Sequence, residues 1–181
     1  MFTINDKLLN CFGIITKSEI DLFLDCISDL IESEVVQKMC NFTQHGDTTT
    51  FDHCLMVSFK SFQFCRKFNL DYRAAARGGL LHDLFLYDWH DKDLEINLHG
   101  FYHPGRALHN AQKEYHLTPR EKDIIKKHMW PLTISAVPMC REAWIVTMAD
   151  KWCSLMETFH VHKGHGALIE KLRKIEEEQG K

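Results

Sequence analysis

Two aspartates stand among residues that belong in a protein core. Asp83 lies inside the stretch GGLLHDLFL and Asp150 inside AWIVTMADKW. An unpaired buried carboxylate is costly, so each calls for a cation, a set of hydrogen-bond donors or protonation. His82 immediately precedes Asp83, and Lys151 immediately follows Asp150. Taken singly, Asp150 reads equally well as the ion-pair partner of a lysine or arginine, and His82 as a core imidazole with its hydrogen bonds met. Spacing favours a joint reading. His53, His82, His103, His128 and Asp150 follow one another at intervals of 29, 21, 25 and 22 positions, about one helix plus one loop each time. Helical bundles build interior metal sites in this way, with one nitrogen or oxygen ligand from each successive helix. The chain carries 12 histidines in 181 residues. Histidine is both a common metal ligand and the usual proton carrier near neutral pH, so this abundance points the same way.

The elements that must position these residues are legible as helices. Ile20, Phe23, Leu24, Ile27, Leu30 and Ile31 recur at three- and four-residue steps, predicting an amphipathic helix over 18–39. Residues 41–50 read as a polar loop. No Gly or Pro interrupts 51–68, and Asp71 follows as a cap for a helix over 72–86. Residues 87–100 are polar and aperiodic, a surface loop beside the site and a candidate lid. Pro104 is suited to the first turn of a helix, which puts His103 at the cap of a helix running to 115. Thr118-Pro119-Arg120-Glu121 is a capping box with proline at the first helical position. That helix ends near His128, because Pro131 disfavours helical geometry at Trp130. Another runs over 141–159, and Gly164 and Gly166 separate it from a charged C-terminal helix. No segment alternates with period two, so the expected class is all-α.

Composition narrows the function. The chain is 45% hydrophobic and 26% charged, a globular balance at a length that suits one domain. With 22 Lys+Arg against 25 Asp+Glu, the net charge is -3, and no overall basic field exists to hold a nucleic-acid polymer. A small substrate or a protein partner fits better. The cysteines at 11, 26, 40, 54, 65, 140 and 153 are odd in number and form no CxxC pair, against a disulfide framework or a thiolate zinc site. No secretory leader pattern and no apolar run of roughly 18 residues appears, so the expected location is cytoplasmic, away from membranes.

The ordered set resembles the HD superfamily of metal-dependent phosphohydrolases, whose pattern is an early His, an adjacent His-Asp pair and a late Asp. The matches are His53 in FDHCLMVS, His82-Asp83 in GLLHDLFLYDW and Asp150 in MADK. Two-metal families of this superfamily add two histidines between the pair and the last Asp, and His103 in YHPGRAL and His128 in KKHMWP occupy those places. The resemblance covers 51–157. It implies an HD-type bundle of about six to eight helices, with residues 1–40 as an N-terminal extension and 164–181 as a C-terminal helix. It further implies one metal on His53, His82, Asp83 and Asp150, and a second on Asp83, His103 and His128. Such donors suit Mn, Fe, Co, Ni or Zn, with Mg also possible, and a carboxylate can bridge two ions where an imidazole cannot.

The implied reaction is hydrolysis of a small phosphorylated molecule, a phosphomonoester or phosphodiester such as a nucleotide, by metal-activated water. Asp83 and Lys151 are the candidate catalytic residues. Lys151 is read either as a contact to substrate phosphate or as a structural ion-pair partner, and Trp130 either as a surface for a substrate base or as a buried aromatic. Histidines 45, 90, 99, 109, 116, 160, 162 and 165 fall in polar surroundings, with His99 of interest four positions before His103. Some single-metal nucleotidases carry a glutamate shortly after the His-Asp pair, but here Leu84, Phe85, Leu86, Tyr87 and Asp88 follow. The Gly-Tyr-Pro signature of bacterial cyclic-dinucleotide phosphodiesterases is missing as well. Two other functions use the same ligands: a di-iron oxygenase of the superfamily, and a regulatory module that binds metal or nucleotide without turnover. Substrate identity and oligomeric state are not encoded in any motif of the chain.

Overall fold

Three- and four-residue apolar spacing produces helices throughout, and the computed structural model describes residues 16–45, 48–87 and 99–158. Helix α1 (Lys17–Ile31) is capped by Thr16, whose hydroxyl accepts from the Glu19 amide at 3.2 Å. It buries Ile20, Phe23, Cys26, Ile27 and Leu30. The helix predicted over 18–39 stops at Ile31. Ser33 takes an extended backbone (φ -70°, ψ 129°), consistent with the preference of serine for caps and turns over helix interiors. A short turn, α2 (Glu34–Gln37), and a 3-10 turn (Lys38–Asn41) complete the segment.

The segment predicted as a plain loop holds a two-stranded antiparallel ribbon, β1 (Thr43–His45) and β2 (Thr48–Thr49), so the expectation of a chain without strands is corrected. Strands this short leave no period-two signal. Thr43 pairs with Thr49 and His45 with Thr48, so Gln44 is the extra residue of a bulge. A bulge of this kind re-aims a side chain, and that of Gln44 is buried.

Helix α3 (Thr50–Lys67), capped by Thr49 onto the Asp52 amide, is surrounded by other elements and buries residues on most of its faces. Helix α4 (Tyr72–Leu81) is capped by Asp71 onto the Ala74 amide, as predicted. Its small residues permit unusually close packing on both sides. A Cβ on Gly79 would lie 2.9 Å from the Ser58 Cα of α3, and one on Gly78 would lie 2.8 Å from Ile124 Cγ2. The Ser58 hydroxyl donates to the Ala76 carbonyl at 2.6 Å across the same contact. The predicted continuation of α4 to 86 does not form. Beyond Leu81 the chain turns through His82 and Asp83, Leu86 adopts φ 59°, and Asn110 donates to the Leu84 and Phe85 carbonyls at 2.9 and 3.3 Å. A side-chain amide thus satisfies carbonyls that a longer helix would have used.

Helix α5 (His99–Glu114) begins earlier than predicted, with Pro104 inside it instead of at its start. Proline there forgoes one bond, to the carbonyl four residues back, since as the sixth helical residue it lies beyond the first turn. His103 is accordingly a helical residue and not a cap. Helix α6 (Pro119–Lys127) starts with the predicted capping box: the Glu121 amide donates to the Thr118 hydroxyl at 3.2 Å, and the Thr118 amide donates to the Glu121 carboxylate at 2.6 Å. His128 forms its C-cap. Helix α7 (Arg141–Thr158) closes the described part of the chain. Helix α4 packs on α3, α6 and α7, and α7 also packs on α3 and α6, with α1 against α4 and α5 against α6. The architecture is all-α with one small ribbon. None of the described helices is long and apolar enough to cross a membrane. Most of the predicted loop over 87–100 and the whole predicted C-terminal helix lie outside the described residues.

Candidate metal centre

The six predicted ligands, carried by α3, α5, α7 and the ends of α4 and α6, meet in the interior, and none is more than 5% exposed. His53 comes from the first turn of α3, and its Nε2 lies 3.2 Å from Asp150 Oδ1 of α7. His82 Nε2 lies 3.5 Å from Asp83 Oδ2 and 3.7 Å from Asp150 Oδ1. The other Asp83 oxygen, Oδ1, faces His103 Nε2 at 3.1 Å and His128 Nε2 at 3.3 Å, and those two nitrogens are 2.8 Å apart.

The orientation of each ring has a local cause. His82 and His128 are both helix C-caps, where the last carbonyls of a helix lack partners. Each ring uses one of them: His82 Nδ1 donates to the Gly79 carbonyl at 2.7 Å, and His128 Nδ1 to the Ile125 carbonyl at 2.9 Å. A carbonyl can only accept, so Nδ1 carries a proton in both rings and Nε2 points into the cluster. His53 is held differently. Its Nδ1 lies 2.9 and 3.0 Å from the two oxygens of Glu157, a carboxylate with no exposed surface.

The donor set fits a divalent metal. His82 Nε2 and Asp83 Oδ1 are buried polar atoms without a hydrogen-bond partner. Such orphans are rare in native interiors and call for a ligand. Potential ligand atoms come within 4.8 Å of one another in three sets: His53, His82 and Asp83; His82, His128 and Asp150; and Asp83, His103 and His128. The third set is the second ligand group implied by the family resemblance, the first holds three of the four residues of the other group, the middle set crosses between them, and all donors are nitrogen or oxygen.

The electrostatics separate the histidines. Burial pushes the His53 pKa down, but hydrogen bonds and charge from Asp150 and Glu157 outweigh it and raise the value to about 10. For His82, burial is likewise outweighed, chiefly by the Asp83 charge, and its pKa is raised well above the ordinary value. His128 behaves oppositely: burial prevails over Asp83, and its pKa is lowered to about 4. Asp83 and Asp150 are held well below the usual carboxylate range. Burial opposes this, but His82 and His103 prevail at Asp83, and His53, His82 and Lys151 at Asp150.

Lys151 Nζ lies 2.8 Å from Asp150 Oδ2 and donates to the His128 carbonyl at 3.1 Å, with 38% of its side chain exposed. Trp130 is half-buried, edge-on to Trp144 with ring centroids 4.7 Å apart. His109 and His116 are exposed, in keeping with their polar surroundings. The side chains of His45 and His99, and all of residues 90, 160, 162 and 165, lie outside the described residues.

Two contributors escape sequence reasoning. Glu157 stands seven positions after Asp150, two helical turns along the same face, in an apolar stretch, and that pattern was available to find it. Gln44 donates from its side-chain nitrogen to Asp83 Oδ2 at 2.7 Å, and nothing in its local sequence marks it.

A helical bundle with an interior His/His-Asp/Asp cluster defines a metal-binding class of protein. The family model of the HD domain matches residues 50–154, and the chain belongs to that family, within the superfamily of metal-dependent phosphohydrolases. Comparisons with curated proteins and with solved structures give no match.

Proposed function

We propose that the chain binds two divalent transition-metal ions and hydrolyses a small phosphorylated substrate, a phosphomonoester or phosphodiester of nucleotide size. The observation that carries this reading is the convergence of imidazole Nε2 atoms and two buried carboxylates, with His82 Nε2 and Asp83 Oδ1 left without hydrogen-bond partners. His53, His82, Asp83 and Asp150 would hold one ion, and Asp83, His103 and His128 the other. Bound ions would supply Lewis acidity toward phosphoryl oxygens and bring the pKa of coordinated water toward neutrality.

The chain's own residues then orient and position. Helix-end carbonyls fix the rings of His82 and His128, and Glu157 fixes that of His53. Lys151, anchored by Asp150 and partly exposed, offers its ammonium group to a phosphoryl oxygen of the substrate. Trp130 offers a ring face for a base. The partner is a small molecule and not a nucleic-acid polymer, in keeping with the net charge of -3.

The test is turnover of generic phosphomonoesters and phosphodiesters with added Mn or Co, by the native protein and by Asp83→Ala. Activity in the native protein and none in the variant is expected, whereas full activity in Asp83→Ala overturns the mechanism. Oxygen consumption with tightly bound iron would point instead to an oxygenase built on the same ligands. Metal binding without turnover across the panel would point to a regulatory module.

A further inference from the structure

Gln44 lies outside the stretch matched by the HD-domain family model, residues 50–154, yet it reaches the centre of the cluster. The β1 bulge turns its side chain inward, where it is 7% exposed. Its Oε1 lies 3.2 Å from the Thr50 hydroxyl, whose single proton is shared with the Phe42 carbonyl at 3.2 Å, and its nitrogen donates to Asp83 Oδ2 at 2.7 Å. A hydroxyl on one side and an acceptor-only carboxylate on the other leave the amide a single consistent orientation.

The two Asp83 oxygens therefore differ. Oδ2 carries the Gln44 hydrogen bond and faces His82, while Oδ1 faces His103 at 3.1 Å and His128 at 3.3 Å. A carboxylate free to rotate can give both oxygens to one ion. We infer that Gln44 is a positioning residue that assigns the two Asp83 oxygens to different ions, and so sets the affinity of the His103/His128 position separately from that of the His53/His82 position. The hydrogen bond acts in two ways. It locks the carboxylate torsion so that Oδ1 stays directed at His103 and His128, and it occupies a lone pair of Oδ2, so that both oxygens cannot turn to one ion. Thr50 contributes by holding the amide. The inference rests on the metal-binding reading above.

The experiment is titration of Mn²⁺ against a competing chelating dye for the native protein, Gln44→Met and Thr50→Val, with thermal melting to monitor folding. Methionine keeps the length of the side chain and removes its donor. The native protein should bind two ions. In Gln44→Met the second affinity should fall roughly 10–100-fold while the first is unchanged or tighter, and Thr50→Val should move the same way by less. An unchanged second affinity, or equal losses at both positions, overturns the inference. Should Gln44→Met fail to fold, Thr50→Val decides by the same criterion. A native protein that binds no ion refutes the metal-binding reading itself. One that binds a single ion refutes this inference and leaves one-metal hydrolysis standing. Two ions with an indifferent variant refute this inference alone.

Discussion

His53 and His128 are fully buried imidazoles facing one cluster, yet their surroundings drive them to opposite protonation states. His53 sits between two carboxylates, Asp150 at 3.2 Å and Glu157 at 2.9 Å, which overcome burial and raise its pKa to about 10. Behind His128 stands the neutral carbonyl of Ile125, and burial lowers its pKa to about 4. The lesson is that the atom behind the ring sets what the ring offers in front. His53 and His82 hold protons that an ion must displace, while His128 presents a ready lone pair. Ion binding at the His53/His82 position should therefore release more protons near neutral pH than binding at the His103/His128 position.

Removing what the halves share has the largest effect. Asp83→Ala should abolish measurable binding at both positions in a metal titration, and native affinity at either would separate that half from the cluster. Next is Glu157→Gln, which keeps the shape of the side chain and removes its charge. The first-ion affinity should drop roughly 10–100-fold with the second unchanged. Equal loss at both positions, or none, would mean that the charge behind His53 does not distinguish the halves.

A smaller effect belongs to the scaffold that serves both. Gly79→Ala forces the α4 backbone away from Ser58 and should destabilise the fold by about 1–3 kcal/mol in a denaturant melt. The relative affinities of the two positions should stay as they are. A separate effect is on the pH dependence of the metal-free protein. A folded-state His53 pKa of about 10, above the ordinary value of about 6.5, gives a stabilisation that is fully present below the ordinary value and fades as pH rises through about 10. The melting temperature should decline from pH 7 to 10, and Glu157→Gln should flatten that decline. An equally steep decline in the variant would assign the effect to other groups.

What the sequence reveals follows from the range of the physics involved. Helices written by local periodicity and capping, such as α6 with its Thr118 box, are legible because the signal lies within a few residues. The convergence of the six buried histidines and aspartates was legible because carboxylates among core residues are anomalous and the spacing repeats. The early end of α4 was not, since it depends on Asn110, a residue 24 positions beyond Leu86 that supplies a substitute for helical bonding. Helix α5 starts before Pro104 although the proline forgoes one helical hydrogen bond, which local helix rules do not reveal. Gln44 was invisible for a related reason: a bulge in a strand of three residues has no periodicity to read, and its meaning lies in Asp83, 39 positions away.

The most direct measurement is anomalous X-ray scattering at the Mn edge from crystals grown with Mn²⁺. Two peaks are predicted, one within ligand distance of His53, His82, Asp83 and Asp150, and one within ligand distance of Asp83, His103 and His128. Manganese bound only elsewhere, or a cluster with no peak at saturating Mn²⁺, would contradict the account.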